Sequence, residues 1–467
     1  MSTPPATGPE TGTLGWAVAR IRRHLSELIR LAFPVMVARV GVLSMALVDT
    51  VMVGRFSSEE LAYQSIGLAP INALYVGSLG LLMGTLVVAA NAMGRGRPEE
   101  AGAAWRRSMP YAAAIGVAGW ALSLAGGPFL ALTGQSADLS RGGGEVMTVI
   151  GIGLPFLMIY LTTSFFLEGI GRPMAGMVFM IIANLLNIVL NWVLVFGVGP
   201  IPPMGATGSA WATTSLRIFG AVFLVAFVWF MTDRDRFAVR RPAEGGWRAW
   251  RHQRMIGYAA GASIGAEATA FSILGLMAGW LGVLPLGAFS IALNLVGIVF
   301  MVALGIGAAT AVRVGNAHGR RDTADMVVAG WTGLGLNTVL MGGIGVVFAA
   351  MPVAFAGFYS TDAELLALTA PLIAFAALVL VVDGGQAVVA NALRGRADTW
   401  IPTSTHILSY FGVMVPVGYL LAFVMDHGAM GLMEAILVAS IVSVGLLIVR
   451  FQWLAARDAR IRSAAAG

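Results

Sequence analysis

Twelve mostly apolar stretches follow one another along this chain, each long enough to cross the ~30 Å hydrocarbon core of a bilayer as a helix. They run over 29–54, 61–90, 108–133, 146–168, 174–198, 208–231, 255–281, 286–312, 326–351, 364–391, 401–425 and 430–451. No water is available at that depth to satisfy open backbone groups, so spans of this length must close their own hydrogen bonds as helices. The chain therefore reads as an all-α integral membrane protein with twelve transmembrane helices. Composition agrees, with 58% of residues hydrophobic and 11% charged, less than half the ~25% charged content of soluble domains. Sixty Gly and nineteen Pro would suggest disorder in a soluble chain. In membrane helices they serve as packing and hinge positions, because small residues let backbones approach closely.

The 29 basic residues, all Arg, sort by topology. With the N-terminus inside, 25 fall in inner segments or at their borders, Arg55 and Arg141 fall outside, and Arg39 and Arg217 lie within spans. By the positive-inside rule both termini are expected in the cytoplasm. The net charge of +6 is spread over many short loops without a basic patch or interleaved aromatics, so no nucleic-acid partner is expected. Residues 1–15 are polar, lack the charged and apolar regions of a signal peptide, and read as a loose tail. With no Cys, disulfides and thiolate metal or redox sites are excluded.

A repeat relates the two halves. Offset by 225 residues, 65–97 matches 290–322 at 11 of 33 positions, including Ser65/Ser290, Gly80/Gly305, Thr85/Thr310, Asn91/Asn316 and Arg95/Arg320. Gly171-Arg172 also lines up with Gly395-Arg396, at an offset of 224. Six spans separate each pair, so two homologous six-helix lobes in the same orientation are expected, related by a pseudo-two-fold along the membrane normal. The implied division is a cytoplasmic tail over 1–28, an N-lobe over 29–231, a linker over 232–254, a C-lobe over 255–455 and a second tail over 456–467. Trp247, Trp250 and the arginines of the linker suit an interfacial helix.

Three acids, Asp49, Glu267 and Asp383, lie inside spans. A carboxylate at membrane depth costs several kcal/mol or more and usually faces a cavity or an ion path. Glu267 sits about twelve residues, or ~18 Å of rise, into the seventh span. Asp383 and Gln386 share a helix face, and Gly384 and Gly385 beside them weaken the helix, which suggests freed carbonyls for an ion. Asn184, Asn187 and Asn191, at i, i+3 and i+7 of the fifth span, form one polar stripe. Interhelical hydrogen bonding is an equal alternative use for that stripe. Arg39 either pairs with an acid, lines a vestibule or packs, and Glu168 near the end of the fourth span reads as an interfacial group. Pro34, Pro155 and Pro371 remove helix hydrogen bonds and bend spans.

Specific strings then point to a family. FPVMVA with VDTVMVGR in the first span, FFLEGIGRP after the fourth, NLLNIVLNWVLVFG in the fifth, GAEATAF in the seventh, AVRVGNAHGR after the eighth and VVDGGQAVVANALRGRAD in the tenth stand in order over about residues 28–455. The chain resembles the multidrug and toxic compound extrusion (MATE) family, NorM-like branch. The resemblance implies a two-lobed antiporter in the inner (plasma) membrane that exports bulky, often cationic organic compounds in exchange for sodium or protons. It implies no other cofactor, a monomer among membrane lipids, and drug-cavity Met and aromatic residues that the sequence does not identify.

The resemblance also implies roles. Asp49 matches the family's first-span acid, while Glu267 and Asp383 match the acids of a second-lobe cation site that would hold sodium. Asn187 and Asn191 lie on the face that approaches the first-span acid, and Pro34 marks the bend proposed for gating. Some members carry an acid where this chain has Asn191, which leaves Asp49 as the only clear carboxylate of the first lobe. Several have Tyr where this chain has Val379, which leaves sodium against protons open. The alternatives are a lipid-linked-sugar flippase of the same broad fold and, from a different class, a membrane-embedded prenyltransferase. Against an enzyme, the three acids lie on separate helices without a DxxxD pair, and HExxH is absent.

Overall fold

A computed structural model describes residues 14–242 and 245–466, and among them the chain forms helices and no β-strand. The α-helices are α1 (Leu14–Phe56), α2 (Ser58–Leu82), α3 (Gly84–Gly94), α4 (Pro98–Ser123), α5 (Gly126–Leu132), α6 (Ala137–Ile152), α7 (Leu154–Gly169), α8 (Met174–Phe196), α9 (Gly205–Phe230), α10 (Arg251–Leu281), α11 (Val283–Gly319), α12 (Thr323–Ala350), α13 (Pro352–Gly357), α14 (Ala363–Gly395), α15 (Trp400–Ile407), α16 (Val415–Tyr419) and α17 (Gly428–Ala466). Ten spans are long and apolar enough on their own, and two more are bent pairs, α4 with α5 at 58° and α6 with α7 at 44°. Each bend has a local cause. Gly126-Gly127-Pro128 opens α5, and Gly153 with Pro155 separates α6 from α7, where proline removes an N–H from the ladder. The twelve expected spans are all present.

Two compact units divide the chain. One holds Pro34–Phe271 with Thr399–Ile407, and the other holds the chain up to Phe33, Ser272–Asp398 and Leu408 onward. The divisions fall inside α1 and α10 rather than in loops, and the contacts explain why. In the first unit, a Cβ on Gly257 of α10 would lie 2.1 Å from the Leu81 carbonyl, and one on Gly80 would lie 2.4 Å from Gly261 Cα. Helices this close exclude any larger residue. Thr403 Oγ1 donates to the Ala259 carbonyl at 2.8 Å and Ser263 Oγ bonds His406 Nδ1 at 2.6 Å, fixing α15 to the same part of α10.

In the second unit, the first half of α1 is held by Asp325 at the start of α12. That carboxylate accepts from Arg20, Arg23, His24 and Arg320, and Arg313 pairs with Glu27. Residues 14–28, expected as a tail, are therefore helical, with His24 and Leu28 wholly buried. Of the three arginines in this stretch, Arg20 and Arg23 are taken up by the acids at the start of α12. Among the described linker residues no interfacial helix is present. They hold one short 3₁₀ turn, Arg234–Phe237, and Arg254 stacks on Trp247 and Trp250 at the start of α10.

The repeat survives in backbone detail. After α3, Arg95 N bonds the Asn91 carbonyl at 3.0 Å and Arg97 N the Ala92 carbonyl at 3.0 Å; after α11, Arg320 and Asp322 bond Asn316 and Ala317 at 3.1 and 3.0 Å. The left-handed position of this turn is Gly96 in one half and Arg321 in the other. The later match is displaced. The left-handed residues that correspond are Gly171 and Ala397, so the structural offset there is two residues more than the Gly-Arg strings suggest.

Candidate functional site

A cavity of about 300 Å³ opens within the first unit, between α1, α2, the α6–α7 pair, α8 and α9. Its size is at the lower end of small-molecule sites. Met45, Met180, Tyr75, Tyr160, Phe165 and Phe179 supply apolar and aromatic wall, and Asp49, Glu168, Arg39 and Arg217 supply charge.

Asp49 is 7% exposed on α1. Its Oδ1 accepts from Asn187 Nδ2 at 2.8 Å and Asn191 Nδ2 at 2.7 Å, and its Oδ2 accepts from Thr213 Oγ1 at 2.8 Å. The stripe on α8 is thus used: Asn187 and Asn191 are fully buried, while Leu185, Val189 and Trp192 on the opposite face are more than half exposed. Asn184, one turn earlier, donates to the Gly41 carbonyl of α1 at 3.0 Å. All three amides hold α8 to α1, two through the acid and one through backbone. Three donors converging on one carboxylate stabilise its charge, each charge-assisted bond contributing about 1.5–3 kcal/mol.

Two charged residues that were left without a clear site role in the sequence lie on the same wall. Arg217, on α9 one turn beyond Thr213, donates to the Ile150 carbonyl at 3.1 Å, and Thr214 donates to the Val149 carbonyl at 2.9 Å. These carbonyls lie in the last turn of α6, where Gly153 N also bonds the Ile150 carbonyl at 3.2 Å. A Cβ on Gly153 would fall 2.8 Å from Arg217 Cδ, so the glycine also gives the arginine its path. The only sequence signal was Pro155, and it speaks of a bend rather than of a partner.

Glu168, expected at the interface, is 6% exposed and lines the cavity. Asp49 is therefore not the sole carboxylate of this region. Ser164 Oγ donates to Glu168 Oε1 at 3.0 Å, and Oε2 has no hydrogen-bond partner. Arg39 also lines the cavity, with its guanidinium 5.7 Å from the centre of the Phe165 ring.

In the second unit Asp383 is 4% exposed. Its Oδ1 accepts from Gln386 Nε2 at 2.6 Å and from Ser440 Oγ of α17 at 3.0 Å. Gln386 Nε2 also donates to Tyr410 Oη at 2.9 Å. The hydroxyl missing at Val379 is thus supplied to the same network from the eleventh span. Tyr410 lies in a π-helical turn, Leu408–Met414, a wide turn often found at functional positions. Sequence reading missed Tyr410 and Ser440 because neither stands in a motif with the acid. Gly384 and Gly385 do not unwind the helix: α14 is continuous, and a Cβ on Gly384 would meet Asn337 Oδ1 at 2.9 Å. The glycine makes room for the fully buried Asn337, whose amide reaches the Val381 carbonyl at 3.5 Å. Glu267 is half-buried on the part of α10 that belongs to the first unit, while Asp383 belongs to the second. Pro34 lies inside α1 at the division between the units.

Comparisons with known proteins agree with this architecture. The MatE family model matches residues 34–193 and 262–420, two stretches of near-equal length, one in each half. The chain is 39% identical over 459 residues to the probable multidrug resistance protein NorM of Caulobacter vibrioides, covering 96% of this chain and 95% of that one. It is 31% identical to the multidrug resistance protein PmpM of Pseudomonas aeruginosa, over 94% and 93% of the two chains. Among solved structures, an outward-facing multidrug resistance MATE family transporter of the MOP superfamily superposes with a TM-score of 0.85 at 19% identity, covering 97% of this chain and 100% of that one. With the family model repeated in both halves and relatives of this identity spanning nearly the whole length, the chain belongs to the MatE family of multi-pass membrane proteins.

Proposed function

We propose that this protein is a secondary active multidrug exporter, which moves bulky, often cationic organic compounds out of the cell in exchange for sodium or protons. The observation that carries this reading is Asp49, a membrane-buried carboxylate on the wall of a drug-sized cavity, held by neutral donors rather than by a permanent ion pair. A carboxylate held in this way can take up a coupling cation or a proton. The names of the relatives, which are multidrug resistance proteins, support the cargo class.

In this reading Asp49, Glu267 and Asp383 carry the coupling ion. Asn187, Asn191 and Thr213 hold the first acid, and Gln386, Ser440 and Tyr410 hold the third. Alternating access then proceeds between two homologous lobes, with Pro34 as a pivot in α1. The protein works as a monomer in the plasma membrane with both termini in the cytoplasm. Cargo and ion drive each other because each binds one conformation better than the other, and neither shifts the balance without that difference.

The test is efflux of a fluorescent cation such as ethidium from proteoliposomes, with sodium and pH gradients imposed separately. One gradient drives concentrative transport in the wild type, and Asp49→Asn, Glu267→Gln or Asp383→Asn abolishes it at equal reconstitution. Ethidium movement that ignores both gradients, or survives all three substitutions, overturns the reading.

A further inference from the structure

Within the cavity of the first unit the two acids are not equivalent. Both oxygens of Asp49 are engaged, by Asn187, Asn191 and Thr213. Glu168 is buried to 6% exposure, yet only Oε1 is engaged, by Ser164, and Oε2 is left with no donor. A buried carboxylate oxygen without a partner costs more than a neutral group would, so it persists where something else completes it. Arg39 acts on Glu168 electrostatically without closing to ion-pair distance, and its guanidinium instead faces Phe165. Tyr75, Tyr160, Phe165 and Phe179 share the wall, and aromatic faces attract cations.

From this asymmetry we infer that Glu168 is the residue that receives the positive centre of an organic cation in this cavity, while Asp49 is reserved for the coupling ion. The inference rests on the cavity being the cargo chamber, as the proposed function has it. A bulky lipophilic cation fits, because Oε2 offers charge at a wall whose other surface is aromatic and thioether. A phosphonium or quaternary ammonium centre meets both demands, contacting the carboxylate through its charge and the rings through their faces. Arg39 then serves as the resident counter-charge of Glu168 when the chamber is empty, and its partial commitment to Phe165 leaves it easily displaced.

The experiment uses two probes of the same shape and opposite charge, tetraphenylphosphonium and tetraphenylborate, bound to the whole protein in nanodiscs, with binding to empty discs subtracted. Glu168→Gln is expected to weaken tetraphenylphosphonium at least tenfold and to leave tetraphenylborate unchanged or tighter. Asp49→Asn is expected to weaken tetraphenylphosphonium less than Glu168→Gln does. Unchanged tetraphenylphosphonium affinity in Glu168→Gln, or a larger loss in Asp49→Asn, overturns the assignment. If Glu168→Gln loses both probes alike, Glu168→Asp decides: return of tetraphenylphosphonium binding with the restored charge supports the assignment, and continued loss of both refutes it. Ala46→Trp, which fills the chamber from α1, separates this inference from the reading beneath it. If Ala46→Trp abolishes tetraphenylphosphonium binding and Glu168→Gln does not, the assignment of Glu168 alone falls. If neither has an effect, the chamber itself is not where the cargo sits.

Discussion

Replacing Asp325 by Ala tests how the first half of α1 is held. The carboxylate accepts from Arg20 at 3.1 Å, from His24 Nε2 at 3.0 Å, from Arg320 at 2.6 Å and from Arg23. The Asp325 side chain is 1% exposed and that of His24 0%, whereas Arg23 and Arg320 are 47% and 43% exposed. The two open arginines regain water when the carboxylate is removed, and such pairs contribute only about 0–1 kcal/mol each. Arg20 keeps a second partner in Asp322 at 3.3 Å. His24 has no water to turn to, and stranding a buried polar group costs about 1–3 kcal/mol.

The loss is therefore about 1–5 kcal/mol, reaching the ~3–5 kcal/mol of a fully buried ion pair with one partner deleted only at its upper end. Heating a membrane protein of this size is irreversible, so the observable is the rate at which purified protein loses its folded form at a fixed temperature. If the contact breaks before the unfolding barrier, 2 kcal/mol makes that rate about 30-fold faster. Asp325→Asn, which keeps the shape and one acceptor, falls between. Adding His24→Ala to Asp325→Ala costs less than His24→Ala does on its own, because the two changes share the His24–Asp325 interaction, while the Arg313–His24 bond is lost only with His24. Equal unfolding rates for wild type and Asp325→Ala, or full additivity with His24→Ala, would refute this account of the anchor.

Tyr410→Phe removes the hydroxyl beside Gln386 and leaves the Gln386–Asp383 bond, so thermal stability should change by no more than about 1 kcal/mol while ion-driven ethidium efflux falls several-fold; unaltered efflux would remove Tyr410 from the coupling network. Asn187→Leu strips one of three donors from Asp49, at about 1.5–3 kcal/mol for a bond to a charged group, and should lower both thermal stability and efflux, whereas a fully stable variant would mean that Asp49 does not depend on its amides. Two glycines of α10 should behave oppositely. Gly257→Ala places a Cβ 2.1 Å from the Leu81 carbonyl and should sharply reduce folded protein in the membrane. Gly265→Ala meets nothing within 4 Å and should be neutral or stabilise by up to about 1 kcal/mol; similar yields for the two would contradict the close approach of α10 to α2.

The spans were legible because hydrocarbon leaves a chain few choices: twenty apolar residues close their own hydrogen bonds or do not insert. One of the two bends was legible, at Pro155, because proline acts within one turn; the bend at Gly126–Pro128 was not singled out, and Pro34 and Pro371, read as bends too, lie inside α1 and α14. The use of the break before Pro155 was not legible. What Gly153 provides is a passage for Arg217 to the Ile150 carbonyl of α6, and that depends on α9, some sixty residues on. The acids were found for a simple reason, since a charge in an apolar run stands out. Glu168 was misplaced by the same logic, because it lies at the end of its span beside Gly169 and Arg172, where a charge looks solvated. Tyr410 and Ser440 were hidden because hydroxyls are common in membrane helices and nothing in a single sequence says which acid they meet.

Asp325 shows why a repeat that is plain in sequence does not fix burial. The turn after α3 and the turn after α11 share their hydrogen bonds, and each ends in an ion pair at equivalent positions, Arg95 with Glu100 at 2.8 Å and Arg320 with Asp325 at 2.6 Å. Glu100 is 40% exposed and Asp325 1%. Local sequence built the same turn twice, since capping and left-handed positions are decided within a few residues. The difference comes from the first half of α1, which brings Arg20, Arg23 and His24 to Asp325. An acid three residues into a helix favours the helix start in either half; only one of the two also serves as an anchor, and that role was set by a segment three hundred residues away.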